Sequence, residues 1–246
     1  MKKTFTKKRS AFSLIELSIV LIIIGLLIAG VTGGASLIKS SELRSVMGEA
    51  RGYSVAVNAF YTQYNALPGD FNNTLAYGNS GDANNYIKYY SGTASEGANA
   101  WLQLKAIGAI DSITATTLTE ATTAPTFGAG APASKIKASG WVFSTISTAG
   151  TNNYVVLTGP VTAATANTAA EVDTLASGAL APADALSIDS KIDDGVATTG
   201  KIIGNVISAG NDSTADATTC YDTTTAAYAA RTEKTCAVAY RVDANS

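Results

Sequence analysis

The feature that most constrains this chain is an uninterrupted apolar segment near its start. Residues 12–38 contain a single charged side chain, Glu16, among apolar and small residues. A hydrocarbon core about 30 Å thick is crossed by about 20 helical residues, so this segment is long enough to span a bilayer. We therefore predict a transmembrane helix over residues 12–38, in which the acidic residue needs an explanation.

The charges of the chain are distributed unevenly around this segment. There are 17 Lys and Arg against 19 Asp and Glu, and five of the basic residues precede the apolar segment. They are Lys2, Lys3, Lys7, Lys8 and Arg9. Basic residues mark the cytoplasmic flank of a membrane helix, so the chain after Ile38 is expected on the opposite side. The acidic remainder argues against direct nucleic-acid binding, which needs a basic face.

Two further composition features limit the function. The chain contains no histidine, the commonest general base and metal ligand, and no catalytic constellation is recognisable. We therefore expect that it is not an enzyme. The chain has two cysteines, Cys220 and Cys236. In an exported protein such a pair is more often a disulfide than two free buried thiols, which is the alternative.

The helical pattern continues beyond the predicted membrane segment, over residues 39–66. Apolar residues recur there at steps of three and four, as on one face of an amphipathic helix. They are Val46, Ala50, Tyr53, Val57, Phe60 or Tyr61, and Tyr64. Pro68 and Gly69 are expected to end the helix, because proline lacks the N–H and disfavours helix at the preceding residue. Residues 39–66 therefore need a globular partner on one side.

Residues 67–246 are predicted to form that partner as an α+β domain. Short β-like segments are separated by Gly, Pro, Asn and Asp, and two segments have a helical pattern. The predicted strands are 140–147, 153–159, 201–209 and 236–242, and the predicted helices are 95–109 and 182–195. In the second of these helices Ala185, Ile188 and Ile192 share a face, and Gly195 is placed to end the helix in a left-handed conformation. Trp101 and Trp141 are predicted core residues.

The segment "KKRSAFSLIELSIVLIIIGLLIAG" resembles the N-terminal cleavage and methylation segment of type IV prepilins and type II secretion pseudopilins. The shared order is a basic leader, a small residue, Phe, and an acidic residue at the fifth position of the mature chain. The resemblance implies that a prepilin peptidase cuts between Ala11 and Phe12 and methylates the new amino group of Phe12. Residues 1–11 would thus be a leader that is removed, with Ala11 where family members usually have Gly.

The resemblance also implies a fold, a disulfide and a life cycle. The fold would be pilin-like, with the long N-terminal helix packed on an antiparallel sheet, and Cys220 and Cys236 resemble the C-terminal disulfide loop of type IV pilins. The precursor would sit in the inner membrane with its C-terminal domain periplasmic. An assembly platform would then add it to a self-assembling helical filament, either a pilus on the cell surface or a periplasmic pseudopilus.

The resemblance further implies a role for Glu16 in filament assembly. A carboxylate in hydrocarbon costs several kcal/mol unless it is neutralised or paired. The implied partner is the free amine of Phe12 on an assembled subunit, which would fix the axial offset of each new subunit. The alternative is that Glu16 lies in the headgroup layer at the end of a plain anchor.

Three alternatives to a pilin remain open. A type II secretion pseudopilin shares every feature above. An anchored or secreted binding protein would place its ligand on the tyrosine-rich region from Tyr53 to Tyr90, which contains seven of the eleven tyrosines. An ordinary secretory signal peptide cut near Ala35 also has a basic start and an apolar core. The acidic residue within the apolar segment and the helical pattern beyond Ala35 argue against that signal peptide.

No cofactor is expected, although two segments have residue types that bind cations. Asp189, Asp193 and Asp194 are hard oxygen ligands close together, and some pseudopilins hold calcium in an outer loop. Their spacing does not match the helix–loop–helix calcium pattern, so a helix-ending turn is the preferred interpretation. Residues 79–85, "NSGDANN", are also interpreted as a turn, because clusters of Asn, Gly and Asp usually form turns.

Overall fold

The computed structural model describes most of the chain, apart from its extreme ends and seven internal stretches. The described residues are 13–72, 81–87, 96–115, 126–145, 152–160, 177–204, 220–222 and 224–242. The chain divides into two units, Met1–Ser41 and Glu42–Ser246. The predicted leader and the cleavage residues Ala11 and Phe12 lie outside the described residues, as do residues 146–147 and 205–209 of two predicted strands.

The first helix, α1, runs without interruption from Leu14 to Tyr64. No proline interrupts this stretch, so every residue can keep its helical N–H bond. Asn65 then adopts a left-handed conformation, with φ 51°, and its N–H still donates to the Tyr61 carbonyl at 2.8 Å. Such a left-handed residue closes a helix C-terminus. The predicted stop at Pro68 and Gly69 thus lies a few residues beyond the actual end.

Within Glu42–Ser246, α1 buries one face, as its apolar spacing predicts. Its buried residues are Leu43, Val46, Ala50, Tyr53, Ala56, Val57 and Phe60. Tyr61 and Tyr64 are partly buried against the same core. The Tyr53 ring meets Trp101 and Trp141 edge-on, with centroid distances of 4.9 and 5.6 Å. Both tryptophans are therefore core residues, as predicted.

Two shorter helices follow: α2 is Glu96–Ala106 and α3 is Pro182–Ile192. Both lie inside the predicted ranges and are shorter at their C-terminal ends. Ala185 and Ile188 of α3 are buried, and Ile192 is partly buried against the core. Gly195 is left-handed, with φ 77°, but α3 has already ended at Ile192. The predicted stop therefore belongs to the turn after the helix.

The strands form one antiparallel sheet in the order β1-β2-β4-β3. The strands are β1 (Gly140–Thr145), β2 (Asn153–Thr158), β3 (Ile202–Ile203) and β4 (Val238–Arg241). A long helix with a four-stranded antiparallel sheet is the predicted α+β arrangement. The predicted strand over 201–209 extended further than β3, which stops before Gly204 because the Gly204 N–H donates to the Ala197 carbonyl instead of to β4.

Both faces of the sheet are buried. One face belongs to the core that includes α1 and is built by Trp141, Phe143, Val155, Leu157, Val238 and Tyr240. The opposite face is also shielded from solvent at Val142, Tyr154, Val156, Ile203 and Ala239. All six residues of β2 are buried. This explains why the β2 sequence is almost continuously apolar and lacks the alternation of apolar and polar residues found in a half-exposed strand.

Candidate functional site

The candidate functional site is the start of α1, where the sequence places an acid in an apolar segment. Glu16 is exposed, and its Oε2 accepts a hydrogen bond from the Ser13 backbone N–H at 2.8 Å. The Leu17 N–H donates to the Ser13 carbonyl at 3.2 Å, which makes Ser13 the residue that precedes the first helical turn. The Ser-x-x-Glu spacing is the sequence signature of this contact, although sequence reasoning overlooked Ser13.

The residues that follow Glu16 form a long apolar surface on the single chain. Large apolar side chains are exposed from Leu14 to Ile38, with Leu26 and Leu37 both 74 % exposed. Among the described helices, α1 alone is long and apolar enough, by length and composition, to cross a membrane. Soluble monomers rarely expose a continuous apolar surface of this extent. The first half of α1 therefore needs lipid or other protein around it.

Comparison with known protein families identifies this same segment. The profile described as "Prokaryotic N-terminal methylation motif" matches residues 6–32. The chain carries a prepilin-type cleavage and methylation motif. Neither the curated proteins nor the solved structures include a significant match to the chain.

The prepilin motif supports a type IV pilin-like or pseudopilin-like precursor. In general terms it implies processing by a prepilin peptidase and assembly into a filament. Together with the apolar helix, it also supports a membrane-anchored precursor. The match ends at residue 32 and does not cover the globular domain.

The second half of α1 is fastened to that domain by Glu49. One carboxylate oxygen, Oε2, accepts hydrogen bonds from Ser134 Oγ at 2.9 Å and from Trp141 Nε1 at 2.8 Å. The other, Oε1, accepts the Lys135 N–H at 3.2 Å. Burial raises the pKa of Tyr53, one turn along the helix, to about 12, with the Glu49 charge as a smaller cause. Sequence reasoning missed Glu49, because its partners lie far along the chain.

The three acidic residues after α3 do come together. One oxygen from each of Asp189, Asp193 and Asp194 lies within 4.8 Å of the others. Each carboxylate is also bonded within the turn. Asp189 accepts the Gly195 N–H, Asp193 accepts the Lys201 N–H, and Asp194 accepts N–H and O–H groups from Val196 and Thr199. These bonds support the helix-ending turn that the sequence favoured over calcium binding, and the expectation of no cofactor stays a prediction.

Asp189 also connects α3 to the C-terminal disulfide loop. The structure joins Cys220 to Cys236, and both are buried. Tyr228, between them, donates its hydroxyl to Asp189 Oδ2 at 2.8 Å. Burial raises the pKa of Asp189 to about 6, and the neighbouring charges of Asp193 and Asp194 contribute to the rise. Burial also raises the pKa of Tyr228.

The second acidic group contains Asp82, from the "NSGDANN" stretch, together with Asp70 and Glu96. Both Asp70 oxygens accept backbone N–H groups, from Asn84 at 2.9 Å and from Asn85 at 2.7 Å. Burial raises the pKa of Asp70, while these two hydrogen bonds oppose the rise. Asp70 thus holds the described part of this stretch, residues 81–85, in a turn, in agreement with the sequence interpretation.

Proposed function

We propose that this chain is the structural subunit of a type IV pilus or a related filament. A prepilin peptidase would cut it between Ala11 and Phe12 and methylate Phe12, and an inner-membrane assembly platform would add it to the filament. The observation that carries this proposal is the prepilin motif at residues 6–32, which overlies the exposed apolar half of α1.

The physical basis of assembly is burial of that apolar half. In the membrane, lipid surrounds residues 12–38. A subunit that leaves the bilayer must cover the same side chains against other copies of α1, since burial of apolar area contributes roughly 25 cal/mol per Å². Identical subunits that pack through one helical interface form an open filament when the rotation does not close.

Glu16 supplies the register of this assembly. Its carboxylate would pair with the free amine of Phe12 on a neighbouring copy, since an unpaired charge among apolar helices is unfavourable. The alternative, an acid in the headgroup layer, predicts no effect of Glu16 on assembly. The two interpretations therefore differ in a measurable way.

The proposed topology places the basic leader in the cytoplasm and the globular domain in the periplasm. Basic residues before a membrane helix favour this orientation. The buried disulfide between Cys220 and Cys236 supports it, because such bonds form in the periplasm and are rare in the cytosol. No enzymatic role is proposed, since the chemistry at Phe12 is done to this protein by its peptidase.

We favour a surface pilus over a type II secretion pseudopilus. Such a pilus would serve in adhesion or motility. The C-terminal disulfide loop and the large Thr-rich domain support this choice. A binding protein with a tyrosine-rich ligand face has less support, because Tyr53 is buried and Tyr61 and Tyr64 are partly buried against the core.

The test compares Glu16→Ala with the wild-type chain in cells that carry the matching peptidase and platform. Membrane insertion and cleavage should be unchanged, while filament recovered by shearing should fall at least tenfold. Ser18→Ala is the control, because it removes one hydroxyl bond to the Ile15 carbonyl on the same turn. A normal yield from Glu16→Ala would remove the proposed role of Glu16.

A further inference from the structure

Within Glu42–Ser246, three large apolar side chains of the described residues remain exposed. They are Val55 on α1, Leu186 on α3 and Val196 in the turn after α3, and Val55 is the most exposed at 68 %. A single exposed apolar side chain is ordinary on a protein surface. These three differ from that ordinary case in their charged neighbours, which are basic around Val55 and acidic around Leu186 and Val196.

Val55 lies among arginines on the exposed side of α1. From α-helix geometry, Arg44, Arg51 and Val55 fall within about 40° around the helix axis and span about 16 Å along it. All three side chains are exposed. The acids of this half of α1, Glu42 and Glu49, lie more than about 100° around the axis from Val55. Arg44, Arg51 and Val55 therefore form a positively charged surface with an apolar centre, which we call the basic face.

Leu186 and Val196 border an acidic turn. A Cβ atom on Gly195 would come within 3.7 Å of Leu186 Cδ1, so the turn packs beside Leu186. Asp194, in the same turn, is exposed. Hydrogen bonds from the Thr199 hydroxyl and the Val196 N–H lower the pKa of Asp194, which keeps its carboxylate ionised at neutral pH.

The disulfide loop adds a second carboxylate to this surface. The Ala197 N–H donates to the Ala226 carbonyl at 3.1 Å, and the Ala226 N–H donates to the Asp222 carbonyl at 2.7 Å. Asp222 is exposed, and backbone N–H groups of its own turn lower its pKa. Asp193 balances the charge of Lys201, whose N–H it accepts. The surface is therefore negative, and we call it the acidic face. It consists of Leu186, Asp194, Val196 and Asp222.

We propose that the acidic face of one copy of this chain docks on the basic face of a second copy in the assembled filament. Each face has an exposed apolar centre, and the surrounding charges are opposite in sign, which favours this pairing over contact between like faces. Because the two faces lie on different elements, the contact is heterologous and repeats from copy to copy. This inference rests on the proposed function, since the apolar half of α1 first brings the copies together.

The contact acts as an addition to helix packing. An ion pair on a solvated surface contributes little by itself. Copies already joined through α1 hold the two faces at a high effective concentration, so a weak second contact can add to assembly. Like charges placed opposite each other actively oppose a contact. Charge reversal should therefore reduce assembly more than charge removal does.

The proposal is tested by a charge swap, with the yield of sheared filament as the readout. Arg51→Glu and Asp194→Lys each place like charges across the contact and should lower the yield about fivefold. The double variant restores opposite charges and should regain at least about half of the wild-type yield. Lys191→Glu is the matched control, because it makes the same charge change as Arg51→Glu about 140° around α3 from Leu186. It should keep the wild-type yield.

Two outcomes of the swap would overturn the proposal. One is a wild-type yield from Arg51→Glu. The other is loss in Arg51→Glu that the double variant does not recover, which would indicate an anionic partner outside this chain, such as lipid. Asp194 holds two hydrogen bonds of its turn, so urea unfolding must verify that Asp194→Lys is folded. Leu186→Lys is the second reversal, because it leaves those bonds in place and should also be rescued by Arg51→Glu.

Cross-linking tests the contact directly. Arg51→Lys keeps the charge and supplies an amine that a carbodiimide can couple to a touching carboxylate. In filaments that mix isotope-labelled and unlabelled copies, we expect a peptide that joins position 51 of one copy to Asp194 or Asp222 of another. Well-formed filaments without this link would contradict the contact. If the wild-type chain forms no filament at all, the proposed function fails and this contact falls with it.

Discussion

The two halves of α1 belong to one continuous helix and have opposite surroundings. From Leu14 to Ile38 the large apolar side chains are exposed on every side of the helix. From Leu43 to Phe60 one stripe is buried in the globular core and the opposite side is exposed. The first half thus leaves its apolar surface for lipid or other subunits, whereas the second half uses its apolar surface within its own chain.

The two halves of α1 therefore have different packing partners: the second half packs on the core of its own chain, and the first half does not. The second half is held against the core by aromatic ring contacts and by Glu49, whose carboxylate accepts hydrogen bonds from Ser134 and Trp141. In the first half, the side-chain hydrogen bonds of the described residues are local, such as those of Ser18 and Thr32 to preceding carbonyls. Substitutions in the buried stripe of the second half should therefore affect folding, and those in the first half should affect membrane insertion and assembly.

The sharpest test of this division compares Phe60→Ala with Ile24→Ala. Phe60 is fully buried and contacts Tyr64 and Phe71, so its truncation should lower the free energy of unfolding of the domain by about 4 kcal/mol. Ile24 is 46 % exposed, and its truncation should leave that free energy unchanged. Urea unfolding of the full chain in micelles measures both. Equal losses would erase the distinction between the two halves.

The next largest effect is expected from the disulfide, which lies wholly in the second unit. The double variant Cys220→Ser and Cys236→Ser opens a link between residues 16 apart in sequence and should cost about 3 kcal/mol of domain stability. Membrane extraction of the variant should match the wild type, since the anchor is elsewhere. Loss of membrane association together with domain stability would contradict this separation.

Glu49 should contribute less than the core or the disulfide. Glu49→Ala leaves the Trp141 indole N–H and the Ser134 hydroxyl without their acceptor and should cost about 2 kcal/mol. Glu42→Ala, an exposed acid two turns earlier on the same helix, is the control and should have little effect. Thermal unfolding of both variants provides the comparison. Similar losses would indicate that Glu49 acts only through helix charge.

The smallest effect concerns pH. The pKa of Asp189 in the folded protein is raised to about 6, above its unfolded value, so the folded state binds more protons between pH 4 and 6. Stability should therefore fall as pH rises through this window, by roughly 1 kcal/mol after allowance for screening by solvent. Asp189→Asn should reduce that slope in urea unfolding. The slope that remains includes Asp70, whose pKa is also raised; an unchanged slope would exclude Asp189 as a cause.

The helices could be predicted from sequence because their signals are local. Apolar spacing over residues 46–60 and the absence of proline between Leu14 and Tyr64 determine α1 directly. The ends were less predictable, because they depend on single backbone conformations such as the left-handed Asn65. The short β3 could not be predicted, since Gly204 bonds to Ala197 in a turn that only the folded chain brings close.

The functional segment was predictable for a different reason. Its residues stand in a fixed linear order, so a short motif carries the information, as the profile match at residues 6–32 indicates. The Glu49 contacts were not predictable, because Ser134 and Trp141 lie more than 80 residues away and meet the helix only after the domain folds. The acidic cluster at Asp189 was visible in sequence, although its bonds to the turn were not.

The central claim is that the chain is cleaved and methylated at the prepilin motif, and the mature N-terminus tests this most directly. The measurement is the intact mass and N-terminal peptide of the protein from cell envelopes and from sheared surface material. We expect a chain that begins with N-methylated Phe12 in the sheared fraction, whereas the same chain confined to the envelope would favour a pseudopilus. An uncut chain, or one that begins near Ser36, would contradict the filament account.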